Sequence, residues 1–144
     1  MNSQLFPSEF HAEVPSNRSK LILSVDDEPI ILYTRKQILE LEGYTVLSAL
    51  DGEDALELFD AHPMIDLVLL DYVMPGMDGL AVAREIKSRR PSVPIFMVSA
   101  HEATLSKMNL QYVDSLISKG AGPVHLLQKI KQLFAPTIVA RRSA

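Results

Sequence analysis

Acidic, hydroxyl and ammonium side chains follow four short apolar runs in this chain of 144 residues. They belong to Asp26, Asp27, Asp71, Ser99 and Lys119. Carboxylates held close together raise each other's pKa unless a cation lies among them. All-oxygen ligands suit Mg²⁺ or Mn²⁺, and no Cys or His stands at these positions to favour zinc. A carboxylate nucleophile, a divalent metal, a hydroxyl and an ammonium group together predict phosphoryl transfer through an aspartyl phosphate.

Asp71 is the central candidate among them. It closes the apolar run at residues 67–70, which is typical of a strand buried on both faces, and turn dipeptides follow at 75–76 and 78–79. A solitary carboxylate in that position must be solvated or paired. Each of the other groups has a simpler explanation: an acidic pair is commonly a solvated helix N-terminus, a serine a helix cap, and a lysine a surface charge. Their shared position after apolar runs favours one joint site.

The elements that must position these residues alternate between strand and helix. We predict five strands, at residues 21–25, 44–50, 67–70, 95–98 and 116–117. A helix is predicted after each strand, at residues 29–42, around 55–59, and at 79–89, 102–110 and 123–135. This alternation predicts a single doubly wound α/β domain, with a five-stranded parallel sheet and helices on both faces. Because the carboxyl ends of parallel strands share one edge of the sheet, the four polar features converge there.

Apolar spacing marks one face of the first helix and one face of the last helix. For the first helix, which Gly43 is expected to end, the residues of this face are Ile31, Thr34, Ile38 and Leu41. For the last helix they are Val124, Leu127, Ile130 and Phe134.

The composition excludes several classes of protein. The formal net charge of −4 gives no basic field for nucleic acid, and the absence of cysteine excludes disulfides and thiolate metal sites. No apolar run approaches the ~20 residues of a membrane span. We therefore expect a cytoplasmic protein that contacts neither nucleic acid nor membrane directly. One domain is expected at residues 20–135, between a flexible extension at 1–19 and a short tail at 136–144.

Four blocks of the sequence resemble the receiver domain of two-component response regulators. In order they are Val-Asp-Asp-Glu-Pro at 25–29, Leu-Leu-Asp-Tyr-Val-Met-Pro-Gly-Met-Asp-Gly at 69–79, Val-Ser-Ala at 98–100, and Lys119. The resemblance implies a flavodoxin-like sheet in the order 2-1-3-4-5. It also implies a phosphorylation-activated signalling domain rather than an enzyme, at most catalysing its own phosphotransfer and dephosphorylation. Asp71 would accept the phosphoryl group from a sensor histidine kinase or a histidine phosphotransfer protein.

The resemblance further implies a magnesium site. Asp27 and Asp71 would bind Mg²⁺ directly, with Mn²⁺ as a substitute, and Asp26 would bind it mostly through water. The backbone carbonyl of Val73 would be a further ligand.

The resemblance also implies how a signal leaves the site. Lys119 would pair with one phosphoryl oxygen, and Ser99 would hydrogen-bond another and shift toward it. That shift would move the face formed by the predicted fourth helix, the fifth strand and the last helix. A downstream protein or a second copy of the chain would bind this face.

Four positions bear on switching or on the lifetime of the phosphoryl group. Leu116 stands where the family usually has a switching Tyr or Phe, and Gly120 stands where it usually has proline, so we expect a trans or remodelled, flexible loop. Val73 has no polar group to orient an attacking water, and His101 is placed to crowd or assist one. We expect a rather long-lived phosphoryl state.

Two alternatives remain at this point. A module with the receiver fold that binds partners without phosphorylation fits the departures at Leu116 and Gly120. A phosphatase of the haloacid dehalogenase type also uses an aspartate and Mg²⁺, but Asp71 is followed by Tyr72 and Val73 without a second acid. Only ten residues follow Phe134. We therefore expect the chain to act by binding a partner, or to be the receiver part of a larger protein.

Overall fold

The computed structural model describes residues 18–100 and 110–136. The strands are β1 Leu21–Val25, β2 Thr45–Ala49, β3 Leu67–Asp71, β4 Ile95–Ser99 and β5 Ser115–Ser118. The helices are α1 Pro29–Leu41, α2 Gly52–Ala61, α3 Gly79–Arg89 and α4 Gly122–Phe134, and a 3₁₀ turn at Lys119–Ala121 joins β5 to α4. The predicted helix at 102–110 lies almost wholly outside the described residues.

The five strands form one sheet in the order β2-β1-β3-β4-β5, and every neighbouring pair is parallel. The predicted fold class and strand order are therefore confirmed. In this arrangement β3 lies at the centre with β1 and β4 beside it. The residues that follow β1, β3, β4 and β5 consequently meet at one edge.

Helices cover both faces of the sheet. Helices α2 and α3 pack on one face, where Ala55, Phe59, Val82 and Ile86 bury their side chains with Leu70. We call this the α2–α3 face. Helices α1 and α4 pack on the other, the α1–α4 face, with buried residues that include Ile22, Leu39, Leu69, Leu126 and Ile130.

The apolar face marked on α1 is not the face that the helix buries. The buried residues of α1 are Leu32, Arg35 and Leu39, while Leu41 is 86% exposed. The true face is offset by one residue from the marked one, which turns it by about 100° around the helix axis. Apolar spacing alone does not point to Arg35, since charged side chains are rarely buried unless they are paired.

Three residues of the marked face line an open groove between α1 and α4. This groove has a volume of 290 Å³, and Ile31, Thr34 and Ile38 form its α1 wall, opposite Pro123 and Leu126. On α4 the marked apolar face is likewise not buried throughout, since Val124 is 67% exposed. Because α1 and α4 are not in full contact, the α1 side chains that line the groove do not reach the sheet.

Two described residues, Arg18 and Ser19, precede the predicted boundary at residue 20. Arg18 forms two hydrogen bonds of 3.0 Å with the carboxylate of Asp66, which caps the start of β1 by accepting the Leu21 N–H at 2.8 Å. Most of the predicted extension and tail, at residues 1–17 and 137–144, lies outside the described residues. No helix in the described ranges is long and apolar enough to cross a membrane.

Candidate functional site

Three carboxylates meet at the carboxyl edge of the sheet. Asp26 and Asp27 follow β1, and Asp71 ends β3; the pairing of Val25 with Leu70 brings these strand ends side by side. One carboxylate oxygen from each aspartate lies within 4.8 Å of the others. Asp26 is fully buried and Asp71 is only 5% exposed. The predicted convergence of these residues is therefore what the fold produces.

The ammonium group of Lys119 lies among the carboxylates. Its Nζ is 3.0 Å from Asp26 Oδ2, 3.3 Å from Asp71 Oδ1 and 3.8 Å from Glu28 Oε1. Lys119 directly follows the edge strand β5, and its long stem spans the end of β4 to reach the site. In this structure a lysine thus supplies the cation that clustered carboxylates require.

These contacts shift the acid–base properties of the site. Burial, together with the neighbouring charge of Asp26, raises the pKa of Asp71 to about 6, although the charge and hydrogen bond of Lys119 act to lower it. Burial acts to lower the pKa of Lys119, but the hydrogen bonds and charges of Asp26 and Asp71 outweigh it and raise that pKa. Above pH 6 both members of the Asp71–Lys119 pair are therefore ionised.

Asp26 also contacts a buried arginine. Its Oδ1 accepts the backbone N–H of Glu28 at 3.1 Å, and its Oδ2 lies 3.5 Å from Nη2 of Arg35. The other guanidinium nitrogen, Nη1, donates to Ser24 Oγ at 3.0 Å. Burial lowers the pKa of Arg35, while Asp26 and Asp71 act to raise it, and arginine remains charged in proteins.

Close packing under Asp71 depends on Gly79, the first residue of α3. Its N–H donates to Tyr72 O at 2.8 Å. A Cβ at this position would clash with the carbonyl oxygen of Asp71 and lie 2.9 Å from Tyr72 Cα. Asp78 caps the same helix by accepting the Ala81 N–H at 2.9 Å. The loop after β3 is thereby fixed to the start of α3.

A solvent-facing cleft of 260 Å³ gives access to the carboxylates, and Asp27, Asp71, Val73 and Lys119 are among its lining residues. Val73 is 52% exposed at this cleft. Ser99 is fully buried at the end of β4, next to Ser118 in register. His101 lies outside the described residues.

The two departures from the family pattern flank Lys119. Leu116 is half-buried and packs against the apolar core of the α2–α3 face. The Lys119–Gly120 peptide bond is trans, and the Gly120 N–H donates to Ser118 Oγ at 3.2 Å within the 3₁₀ turn. The trans bond agrees with the expected trans or remodelled loop, and Lys119 at the start of the turn lies beside Asp26 and Asp71.

The donor set suits a hard divalent cation. Asp26, Asp27 and Asp71 offer oxygen ligands only, at a spacing that one small ion can bridge, and oxygen is what Mg²⁺ binds. Asp27 is partly exposed at the cleft, so a hydrated ion has a route of entry. Displacement of Lys119 from between the carboxylates would make room for it.

Sequence reasoning missed Arg35 and Ser24. A signal was present, because Leu32, Arg35 and Leu39 follow helical spacing on one face. Ser24 likewise interrupts an apolar strand on the same face of the sheet as Ile22. Two polar residues at facing core positions predict a buried pair.

Comparison with known proteins agrees with this geometry. The chain is 37% identical over 121 residues to the probable transcriptional regulator ycf27 of Cyanidium caldarium, covering 83% of this chain and 48% of that protein. It is 30% identical over 128 residues to the alkaline phosphatase synthesis transcriptional regulatory protein PhoP of Bacillus subtilis, covering 88% and 53%. The chain thus spans about half the length of these curated relatives.

Solved structures of a response regulator are also similar to this chain. The response regulator TrrA of Thermotoga maritima in complex with Mg²⁺ and BeF superposes with a TM-score of 0.75 at 37% identity, covering 80% of this chain and 99% of that one. A chain from the complex of the histidine kinase ThkA with TrrA gives 0.74 at 38% identity, covering 81% and 99%.

The family itself is identified by its sequence profile. The profile described as the response regulator receiver domain matches residues 22–131, from β1 to the last turns of α4. That range contains all the carboxylates of the site, together with Ser99 and Lys119. The chain therefore belongs to the response regulator receiver domain family of two-component signalling.

Proposed function

We propose that Asp71 accepts a phosphoryl group from the phosphohistidine of a sensor histidine kinase or a histidine phosphotransfer protein. One observation carries the proposal: three carboxylates lie within 4.8 Å of one another, and Lys119 Nζ is 3.3 Å from Asp71 Oδ1. The kinase complex of TrrA supports the kind of donor. The domain would act as a signalling switch and would turn over no external substrate.

The transfer step needs only groups at this edge of the sheet. A carboxylate oxygen of Asp71, ionised above pH 6, attacks the phosphorus atom. The new O–P bond forms as the P–N bond of the phosphohistidine breaks, and the electron pair stays on the imidazole nitrogen, which takes a proton from solvent. Lys119 then pairs with one phosphoryl oxygen, and the hydroxyl of Ser99 donates to another.

A divalent cation completes the site in this proposal. Asp27, Asp71 and the carbonyl of Val73 would hold Mg²⁺, or Mn²⁺ in its place, and Asp26 would contact it mostly through water. Bound Mg²⁺ screens the negative charge of the phosphoryl oxygens. The complex of TrrA with Mg²⁺ and BeF supports this assignment.

The signal would leave the site through Lys119. Lys119 opens the 3₁₀ turn that runs directly into α4, so a shift of its backbone is passed to the first turn of that helix. The proposed output surface comprises residues 102–110, β5 and α4, and a downstream protein or a second copy of the chain would bind it. Leu116 replaces the usual aromatic switch there, so the movement of Ser99 and Lys119 must carry the signal.

Acetyl phosphate with Mg²⁺ provides the test, read by intact mass and by amide NMR. We expect the wild type and an Asp60→Asn control to gain one phosphoryl group, Asp71→Asn to gain none, and EDTA to abolish the gain. Asp60 is an exposed acid on α2, away from the cleft. On phosphorylation, amide signals of β5 and α4 should shift more than those of α2. After acetyl phosphate is removed, the long-lived state expected from the apolar Val73 should persist well beyond seconds.

Other outcomes would separate the alternatives. A wild type that gains no mass would favour a binding module that works without phosphorylation. A gain that survives in Asp71→Asn would move the site elsewhere. Turnover of a generic phosphate ester would favour the haloacid dehalogenase type of phosphatase. Equal amide shifts in α2 and α4 on phosphorylation would contradict the proposed output surface. Loss of the phosphoryl group within seconds would contradict the expected lifetime.

A further inference from the structure

A charged network is buried in the apolar layer between α1 and the sheet. Arg35 is 7% exposed, and its guanidinium group lies between Ser24 Oγ at 3.0 Å and Asp26 Oδ2 at 3.5 Å. Burying an ion pair costs several kcal/mol in lost hydration, and apolar residues often fill the same space at no loss of stability. Packing alone therefore gives no reason for an arginine here.

Asp26 is where this network meets the phosphorylation site. Its fully buried carboxylate has two cationic neighbours on the same oxygen, Lys119 at 3.0 Å and Arg35 at 3.5 Å. Lys119 is shared among three carboxylates, because it also lies 3.3 Å from Asp71 and 3.8 Å from Glu28. Among the described residues, Arg35 forms an ion pair with Asp26 only. Lys119 can therefore leave Asp26 and remain paired with Asp71, whereas Arg35 stays beside Asp26.

We propose that Arg35 is a positioning residue, the standing counter-ion of Asp26 that releases Lys119 to pair with a phosphoryl group on Asp71. This inference rests on the proposed function. When Lys119 moves toward the phosphoryl oxygens, Asp26 loses its nearer cation while still buried. An unpaired buried charge is strongly unfavourable. Arg35 remains beside Oδ2 and compensates the charge, so the movement of Lys119 costs less.

The groove between α1 and α4 gives both cations room to adjust. Its walls include Arg35 and Lys119 together with Ile31 and Leu126. A guanidinium group at 3.5 Å can close on Asp26 by a small rotation, because open space of 290 Å³ lies beside it. The rearrangement therefore requires no repacking of the filled α2–α3 face.

Matched substitutions at Arg35 separate charge from packing. Arg35→Lys keeps the cation, whereas Arg35→Gln keeps hydrogen-bonding capacity and removes the charge. Lys36→Gln removes a cation from the same helix whose partners, Glu40 and the carbonyl of Val46, lie away from the site. A double variant, Arg35→Met with Ser24→Val, replaces the network by apolar side chains and leaves no orphaned hydroxyl.

The measurements are binding of beryllofluoride in the presence of Mg²⁺, followed by ¹⁹F NMR, and the initial rate of phosphorylation by acetyl phosphate. We expect Arg35→Gln and the double variant to weaken beryllofluoride binding and slow phosphorylation about tenfold, the low end of the effect of a close charge pair. Arg35→Lys should retain most of both, and Lys36→Gln should match the wild type. Urea unfolding should show the double variant to be folded.

Wild-type binding in Arg35→Gln would overturn the inference, as would Arg35→Lys being as weak as Arg35→Gln. If Lys36→Gln weakened beryllofluoride binding as much as Arg35→Gln does, the effect would come from the loss of any positive charge on α1, and the inference would again be overturned. In these cases the wild type still accepts a phosphoryl group, so the proposed function stands. A wild type that neither binds beryllofluoride nor accepts a phosphoryl group would overturn both.

Discussion

The two faces of the sheet are built differently. On the α2–α3 face the apolar cluster is closely packed, from Phe59 on α2 to Ile86 on α3. On the α1–α4 face the buried layer contains Arg35 and Ser24, and an open groove of 290 Å³ separates the two helices. The proposed site of phosphorylation lies at the edge where these faces meet.

Because of this difference, the two faces have separate roles at the site. The filled face holds Asp71 in place, because Gly79 packs directly against its backbone. The open face carries the cations, Lys119 and Arg35, that would have to move when charge is added. A fixed acceptor and adjustable counter-ions are what a switch with two arrangements requires.

Truncating one large side chain on each face should give the largest contrast. Ile86→Ala on the filled face should lower the free energy of unfolding by about 4 kcal/mol, since a closed cavity adds to the lost transfer energy. Leu126→Ala on the open face should cost about 2 kcal/mol, because the groove it lines already admits water and only the transfer energy is lost. Urea unfolding of both variants measures the difference. Equal losses would mean that the groove is closed in solution.

The contrast also marks what the sequence could predict. Strand and helix order, the sheet and the convergence of Asp26, Asp71 and Lys119 all follow from apolar periodicity and from residues at the ends of runs, which are local signals. The groove depends on how far apart two helices settle, which no local pattern records. Arg35 was missed because its burial depends on Ser24, a partner on another element.

Removing the acceptor carboxylate should have the next largest effect, and it should depend on pH. Asp71 keeps its proton up to about pH 6 in the folded state, whereas an unfolded aspartate loses it near pH 4. The contribution of Asp71 to stability should therefore fall as pH rises from about 4 to 6, by roughly 3 kcal/mol. In metal-free protein, Asp71→Asn should be more stable than the wild type by up to this amount at pH 7, and no more stable at pH 3.5 to about 4.

Urea unfolding in EDTA at both pH values tests this, with Asp60→Asn as the exposed control. A variant that is destabilised at pH 7 would show that the pair of Asp71 with Lys119 outweighs the cost of burial. Lys119 and Arg35 would then hold Asp26 and Asp71 more firmly than expected from the open packing of the α1–α4 face.

Gly79 provides a smaller test on the filled face. Gly79→Ala places a Cβ 2.9 Å from Tyr72 Cα and against the carbonyl of Asp71, and these are backbone atoms that cannot turn aside. We expect a loss of about 2 kcal/mol in the free energy of unfolding. Urea unfolding of the alanine variant measures it. Unchanged stability would mean that the loop after β3 can move, and that the acceptor is less fixed than the comparison assumes.

Gly120 is the matching glycine on the open face, and its replacement should have the smallest effect. Its φ is not positive, unlike that of Gly122 at +86°, and a Cβ would meet only Ser118 Oγ, at 3.6 Å. Gly120→Ala should therefore raise the free energy of unfolding by about 0.5 kcal/mol through the entropy of the unfolded chain, while Gly122→Ala should lower it. If Gly120→Ala is stable yet slower to accept a phosphoryl group from acetyl phosphate, the freedom of this turn is what lets Lys119 move. If it destabilises the fold, the open face is more tightly packed at this turn than its groove indicates.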